Sequence, residues 1–160
     1  MAFLGEHEVK VDAKGRIRLP GGLKQQLNPA AKGRFVVNRG FEQCLELYPY
    51  DVWQQVRARL NTLNQFKKKE RNFIRVFLRG ATELTLDGSD RINVPKQLLG
   101  YAGIEKEAVI TPGKNTLEIW NKEQYEQMLA IDSDDFADLA EDVLGDIDFD
   151  EPSETDNPES

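Results

Sequence analysis

An internal repeat is the feature that most constrains what this chain can fold into. Residues 5–20 recur at 80–95 with an offset of 75 positions. Identical pairs include Gly5/Gly80, Asp12/Asp87, Arg16/Arg91, Ile17/Ile92, Pro20/Pro95 and, a little further on, Leu23/Leu98. Residues 45–48 and 117–120 match in character as well. Two copies are too few for a solenoid, so the duplication predicts a two-domain or a pseudo-symmetric body.

Each copy is predicted to contain two pairs of short strands, each pair followed by a helix. Apolar residues alternate with charged ones at the start of the first copy, a pattern that is typical of half-buried strands. The apolar positions of these two strands are Val9, Val11, Ile17 and Leu19. A turn-rich segment at 12–15 joins the strands, and Pro20 ends the second one because proline cannot donate to a ladder.

The rest of the first copy follows the same logic. A short helix is expected at 23–27, and strands are expected at 35–37 and 44–47. A longer helix is predicted to begin at Asp51 as N-cap, with an apolar stripe of Val52, Val56, Leu60 and Leu63. Four short strands cannot close a large barrel alone, so interlocking with another copy of the unit would bury their edges.

Two further segments are predicted to be helical. In the middle segment, 67–79, an apolar face of Phe66, Phe73, Ile74, Phe77 and Leu78 lies beside a basic stripe of Lys68, Arg71, Arg75 and Arg79. The stripe is interpreted as a solvated face, a subunit interface or a phosphate-facing surface. Near the end of the chain, Phe136, Leu139, Ala140, Val143 and Leu144 fit one helical face, while residues 146–160 are expected to be disordered.

The charge is divided unevenly along the chain. The sequence has 21 basic and 28 acidic residues, which gives a net charge of −7. Because 13 of the acidic residues and none of the basic ones lie in 132–160, the first 131 residues carry +6. A basic body is compatible with a polyanionic partner such as nucleic acid, and the acidic tail is interpreted as a solubilising appendage or a mimic of DNA.

Several function classes have little support in the sequence. His7 is the only histidine and Cys44 the only cysteine, so no catalytic triad, multi-cysteine zinc site or disulfide framework is expected. We expect no catalytic residues, no enzyme activity, no metal, no cofactor and no small-molecule substrate. No apolar run approaches the about 18 residues of a membrane span, and we expect a cytoplasmic protein.

The residues that carry the duplication also resemble a known family. Residues 1–20, the second loop at 87–91, the linking sequence 70–83 and the strand at 117–120 are similar to the MraZ proteins. The resemblance covers about residues 1–130. It implies a mainly β fold with helices, built from two tandem AbrB-like modules of the swapped-hairpin, double-split β-barrel type. The implied organisation is a first module at 1–53, linking helices at 54–79, a second module at 80–131 and an acidic, largely disordered tail at 132–160.

The resemblance also implies a function. A member of this family is expected to be a sequence-specific DNA-binding regulator, usually a repressor, that acts on its own division and cell-wall operon through tandem direct repeats. It is expected to form a ring-like homo-oligomer in the cytoplasm, associated with the nucleoid. The alternative is a protein-interaction module like the antitoxin members of the same fold group, which occupy a partner rather than DNA.

The charge of the two loops indicates where DNA would be contacted. The first loop and its flanks carry the predicted DNA-binding residues Lys10, Lys14, Gly15, Arg16 and Arg18. Arginine suits guanine because its fork matches O6 and N7, and a β-ribbon can enter the major groove. In the second copy Thr85, Ser89, Asp90 and Asn93 replace Lys10, Lys14, Gly15 and Arg18, so weak DNA contact is expected there.

The Asp–Arg pair that both loops share is predicted to be structural. A feature common to a basic and an acidic loop is better explained by loop geometry than by DNA contact. We expect Asp12 to cap its turn or to pair with Arg16, and Asp87 to do the same with Arg91. For Arg16 the sequence favours this pairing and a contact to DNA equally.

Overall fold

The computed structural model describes residues 3–145. Among these, 3–127 form one compact unit and the residues from Met128 onward belong to a second, smaller one. The strands are β1 (His7–Lys10), β2 (Arg16–Arg18), β3 (Arg34–Arg39), β4 (Leu45–Pro49), β5 (Thr82–Thr85), β6 (Arg91–Asn93), β7 (Glu107–Pro112) and β8 (Leu117–Asn121). The helices are α1 (Gly21–Lys24), α2 (Tyr50–Leu60), α3 (Lys68–Phe77), α4 (Lys96–Tyr101), α5 (Lys122–Met128) and α6 (Ser133–Leu144), with a 3-10 turn at Pro29–Ala31. The predicted mixture of strands and helices is confirmed.

The two repeats exchange strands inside one chain. Six antiparallel strands form a sheet in the order β1-β7-β8-β4-β3-β5, and β2 pairs with β6 in a separate two-stranded ribbon. The first strand of each repeat therefore pairs with the third strand of the other repeat, β1 with β7 and β5 with β3. The interlocking that would bury strand edges thus takes place between the two halves of the same molecule.

A pseudo-two-fold axis relates the halves. It passes between β2 and β6, where the equivalent residues Ile17 and Ile92 are partners. It also passes between β4 and β8, where the equivalent residues Glu46 and Glu118 are partners. The duplication in the sequence is therefore a symmetry of the fold, and of the two arrangements left open by the sequence, the structure has the pseudo-symmetric one.

The largest hydrophobic cluster holds both repeats together. The alternation in the sequence places one side of each strand in this core, as predicted, and the short helices α1 and α4 contribute Leu23 and Leu98. The fully buried residues from the two repeats include Ile17, Leu19, Leu23, Phe35, Leu45 and Leu47 from the first and Ile92, Leu98, Ile110, Leu117 and Ile119 from the second. Because the two sets pack in one cluster, the main core is shared by both repeats, and a smaller cluster of Val36, Tyr48 and Trp53 belongs to the first repeat.

Helix α2 begins earlier than the sequence indicates. The expected N-cap, Asp51, lies in the first turn of the helix, and Pro49 is the residue before it. Strand β4 runs directly into α2, so no residue is left between them to act as a side-chain cap. Asp51 still lies where a negative charge favours the helix dipole, and its Oδ2 accepts a hydrogen bond from Asn28 Nδ2 at 3.3 Å. Leu63 lies beyond the last residue of the helix.

The middle helix is confirmed, but its apolar face is covered only in part. Phe77 stacks on Trp53 with ring centroids 6.3 Å apart, and the buried Asn38 donates its Nδ2 to the Phe77 carbonyl at 2.6 Å. These contacts fix the C-terminal end of α3 against β3. No residue of α3 is fully buried, and Phe66, expected on its apolar face, lies before the helix and is exposed.

The last described element, α6, has the helical face that the sequence predicts. Asp132 caps it by accepting a hydrogen bond from the Asp135 amide at 2.8 Å. Its large apolar residues are exposed. Residues 146–160, expected to be disordered, lie outside the described residues. No helix within 3–145 has the length and apolar character needed to cross a membrane.

Candidate nucleic-acid interface

The two Asp–Arg loops have the same hydrogen-bonded geometry. In the first, Asp12 Oδ1 accepts from the amides of Lys14 and Arg16 at 2.9 and 2.8 Å, while Oδ2 accepts from Arg16 Nε at 2.7 Å. In the second, Asp87 accepts from the Ser89 and Arg91 amides at 2.8 and 3.0 Å and from Arg91 Nε at 3.0 Å. The expected pairing of each aspartate with its arginine is present in the structure.

These contacts keep both aspartates ionised. The hydrogen bond from the Arg16 backbone amide is the largest cause that lowers the pKa of Asp12 below its ordinary value. The Arg91 amide lowers the pKa of Asp87 in the same way. A charged carboxylate organises the loop and holds the arginine at its Nε, a contact that does not use the two terminal guanidinium nitrogens. Each arginine can therefore support the loop and still offer its fork to a ligand.

The fold brings the two loops side by side. Strands β2 and β6 pair with Arg16 opposite Asn93, Ile17 opposite Ile92, and Arg18 opposite Arg91. Residues opposite one another in an antiparallel pair project to the same face. Since Ile17 and Ile92 are fully buried, the other four side chains project outward together. We call this surface, formed by Arg16, Arg18, Arg91 and Asn93, the ribbon face.

The loops are also connected through their backbones. The Val94 amide donates to the Gly15 carbonyl at 2.9 Å, and the equivalent Leu19 amide donates to the Asp90 carbonyl at 2.8 Å. Gly15 has φ +83°, and a Cβ there would lie 2.7 Å from the Val94 carbonyl oxygen. Asp90 occupies the equivalent position with φ 60°. Backbone geometry thus favours glycine at position 15, and Asp90 can take the equivalent position because aspartate is among the residues that tolerate this region.

A salt bridge between the repeats changes the charge of the second loop. Lys24, at the end of α1, places its Nζ 2.8 Å from Asp90 Oδ1. The local sequence gives Asp90 no compensating charge, because its partner Lys24 lies 66 residues away. The ribbon with its loops and this lysine carries five cations and three carboxylates, an excess of two positive charges. The cations are Lys14, Arg16, Arg18, Lys24 and Arg91, and the carboxylates are Asp12, Asp87 and Asp90.

The predicted DNA-binding residues are not all in one place. Lys14 and Arg18 are exposed on the first loop and on the ribbon face. Lys10 lies on β1, opposite Glu107 of β7, in a cleft that also holds Glu105. The same cleft is lined by Asp12 and Gly15 of the first loop, so Lys10 lies beside this loop, among residues of mixed charge, and is not on the ribbon face itself. Conversely, Arg91 and Asn93 share the ribbon face, although the sequence suggested little DNA contact from the second repeat.

One group of residues has the chemical character of metal ligands. The ligand atoms of Cys44, Glu46 and Glu118 lie within 4.8 Å of one another. Burial raises the pKa of the Cys44 thiol to about 12 and raises that of the Glu46 carboxyl as well. Glu46 accepts from Thr116 Oγ1, and Glu118 accepts from Trp120 Nε1 at 3.0 Å. The thiol is protonated at neutral pH and the carboxylates have protein donors, so the contacts within this cluster are explained without a cation.

The fold and the ribbon define the class of protein. It consists of two interlocked strand–loop–strand repeats that together display one cationic two-stranded ribbon. A family model described as "MraZ protein, putative antitoxin-like" matches residues 2–76 and again residues 77–147. The chain belongs to the MraZ family. The second match extends through α6, whereas the sequence resemblance ended near residue 130.

Named relatives agree with this family. The chain is 51% identical over 149 residues to a "Transcriptional regulator MraZ" from Christiangramia forsetii, an alignment that covers 92% of this chain and 96% of the relative. It is 42% identical over 150 residues to a protein of the same name from Flavobacterium psychrophilum, which covers 93% of this chain and 96% of that relative.

Proposed function

We propose that this protein is a regulator of transcription that binds double-stranded DNA in a sequence-specific manner through the ribbon face. The observation that carries the proposal is the register of β2 and β6, which places three arginines and one asparagine on a single outward face. A two-stranded ribbon has the dimensions to enter the major groove. Arginine can pair with guanine and asparagine with adenine, so this set of side chains can distinguish bases. The names of the two relatives support a role in transcription.

Within this proposal the exposed cations have separate roles. Lys14, at the tip of the first loop, contacts phosphate, because an ammonium is a compact charge on a flexible stem. Arg18 has no carboxylate partner among residues 3–145 and reads a base edge. Arg16 and Arg91 are positioned by Asp12 and Asp87, so they enter the groove in a fixed direction. Gly15 allows the backbone of the loop to lie close to β6, and Lys10, which lines a cleft with Asp12 and Gly15, adds positive charge at the edge of the contact.

A single ribbon makes few contacts, so we propose that affinity comes from repetition. Several copies of the ribbon on a ring-like homo-oligomer would bind tandem direct repeats with a high effective concentration. The MraZ resemblance supports the target, namely the DNA upstream of the protein's own division and cell-wall operon, and the role of repressor. A regulator with this activity acts in the cytoplasm at the nucleoid and has no catalytic step.

The proposal is tested by titrating a labelled duplex from upstream of the protein's own gene, and a scrambled duplex, at several salt concentrations. Fluorescence anisotropy reports the Kd. We expect Arg18→Ala and Lys14→Ala to weaken binding, and each lost phosphate contact to reduce the salt slope by about 0.9 per site. Arg57→Ala is the matched control, because Arg57 is an exposed cation on α2, outside the ribbon. Equal losses from Arg57→Ala and Arg18→Ala would contradict a role for the ribbon face.

The same titration distinguishes DNA binding from the antitoxin-type alternative. The words "antitoxin-like" in the description of the family model favour it as the second candidate. A module that occupies a protein partner has no need to distinguish the upstream duplex from the scrambled one. If the two duplexes bind equally weakly at physiological salt, this alternative replaces the DNA-binding proposal.

A further inference from the structure

An apolar groove with a basic border lies beside α3. Its apolar walls are Phe41, Phe73, Val76 and Tyr101, and its border carries Arg39 and Arg79. Phe41 and Val76 are 87% and 72% exposed, which is unusual for large apolar side chains that are close together. We call this surface the α3 groove. It lies in the 3–127 unit and shares none of the four side chains of the ribbon face.

The basic border has unused bonding capacity. The Arg39 guanidinium lies 4.6 Å from the centre of the Tyr101 ring, and its Nε has no hydrogen-bond acceptor within 3–145. Neither Arg39 nor Arg79 forms an ion pair with another described residue. A partly buried guanidinium without an acceptor favours a ligand that brings a carboxylate.

Helix α6 has the complementary surface. Phe136, Leu139, Ala140, Val143 and Leu144 recur at the spacing of one helical face, and the four large residues among them are 41–66% exposed. At about 100° per residue, Asp135 and Asp142 flank one edge of this face and Glu141 flanks the other. The helix is therefore an apolar stripe with acidic borders, which matches an apolar groove with basic borders.

We propose that the apolar face of α6 docks into the α3 groove of a second copy of this chain. The mode is a helix in a groove, read through residues at i, i+3, i+4 and i+7. The family model matches the chain through residue 147, so α6 belongs to the unit that defines the family and accompanies the groove in every copy. Because helix and groove are different surfaces, two copies can exchange the contact reciprocally in a two-fold dimer, or it can pass from copy to copy, which closes into a ring or continues as a filament.

This inference rests on the proposed homo-oligomer and specifies the contact that builds it. In the assembled state the carboxylates of α6 neutralise the border of the groove. The acidic helix then has a structural role, whereas a role as DNA mimic would place it over the basic ribbon.

The decisive experiment is photo-crosslinking in the full chain. Benzoyl-phenylalanine is placed at Leu139, and 15N-labelled and unlabelled chains are unfolded and refolded together before irradiation. We expect mass spectrometry to find crosslinks between labelled and unlabelled chains that join α6 to residues 68–79 or to Phe41. Benzoyl-phenylalanine at Val76 is the reverse probe and should capture α6. Crosslinks within one isotopic form only, crosslinks to other surfaces, or no crosslink from either probe would overturn the proposal.

Substitutions then separate this contact from the proposed function. Val143→Asp in α6 and Val76→Asp in the groove should each raise the Kd of assembly at least tenfold in analytical ultracentrifugation. Gln54→Asp, on the exposed side of α2, adds the same charge and should leave the Kd unchanged. If the unmodified protein is monomeric at all concentrations, the proposed oligomer fails together with this contact. If it assembles and both aspartate variants assemble equally well, the contact alone is refuted.

Discussion

Replacement of Gly15 by alanine tests whether loop geometry fixes the ribbon. A non-glycine residue at φ +83° costs about 1–2 kcal/mol. The new Cβ would also lie 2.7 Å from the Val94 carbonyl oxygen and 3.3 Å from Leu99 Cδ1. Displacing these groups weakens the hydrogen bond from the Val94 amide to the Gly15 carbonyl, which contributes about 0.5–1.5 kcal/mol. The sum is a loss of about 1.5–3.5 kcal/mol in the free energy of unfolding, or a Tm lower by about 3–14 °C.

The second loop supplies a matched control for this measurement. Gly88 occupies the position equivalent to Ala13 and has a φ outside the left-handed region. A Cβ added at Gly88 would meet no heavy atom of a described residue within 4 Å, apart from its own chain neighbours. We expect Gly88→Ala to raise the free energy of unfolding by about 0.4–1 kcal/mol, through the unfolded state. Urea denaturation of both variants gives the comparison. If Gly15→Ala is as stable as Gly88→Ala, the backbone argument for Gly15 is wrong.

Three further predictions follow from contacts between the repeats and from burial in the core. Asp90→Asn keeps a residue that tolerates positive φ and removes the salt bridge to Lys24, so we expect a lower Kd for DNA and a salt slope steeper by about 1. Glu42→Gln, at an exposed position, is the control in the same anisotropy titration. Ile17→Ala and Ile92→Ala should each cost about 2–5 kcal/mol in urea denaturation, and the double variant should lose less than the sum because the two side chains are partners across the ribbon. The Cys44 thiol has a folded-state pKa of about 12 against an ordinary value of 9.0, so alkylation by iodoacetamide at pH 9 should be slow in buffer and fast in urea. Since only the unfolded thiol ionises between pH 9 and 12, stability should fall as the pH rises through that interval.

Local features of the fold could be predicted from the sequence because each depends on neighbouring residues. The alternation around Ile17 identifies a half-buried strand, and the spacing of Phe136, Leu139 and Val143 identifies a helix. The hydrogen bonds of Asp12 within its own loop were predictable for the same reason. The position of Asp51 was not, since it depends on how tightly β4 is joined to α2.

Long-range pairing could not be predicted in the same way. A period of two determines which face of a strand is buried, and it does not determine which strand lies alongside. Nothing near Arg18 in the sequence indicates that Arg91 is its partner, and nothing near Asp90 indicates Lys24. These two contacts change the interpretation of the second loop, from an acidic loop that repels DNA to one side of a shared cationic ribbon.

The exchange of strands between covalently joined repeats has a consequence for the kind of DNA site that the proposed ribbon can recognise. Two identical halves would form a ribbon face with true two-fold symmetry, and such a face would suit palindromic DNA sites. Joining the halves in one chain has let them diverge, with Lys14 and Arg18 on one side and Ser89 and Asn93 on the other. If the ribbon face binds DNA as proposed, these differences give it a direction along the duplex, and such a face matches operators whose repeats all have the same orientation.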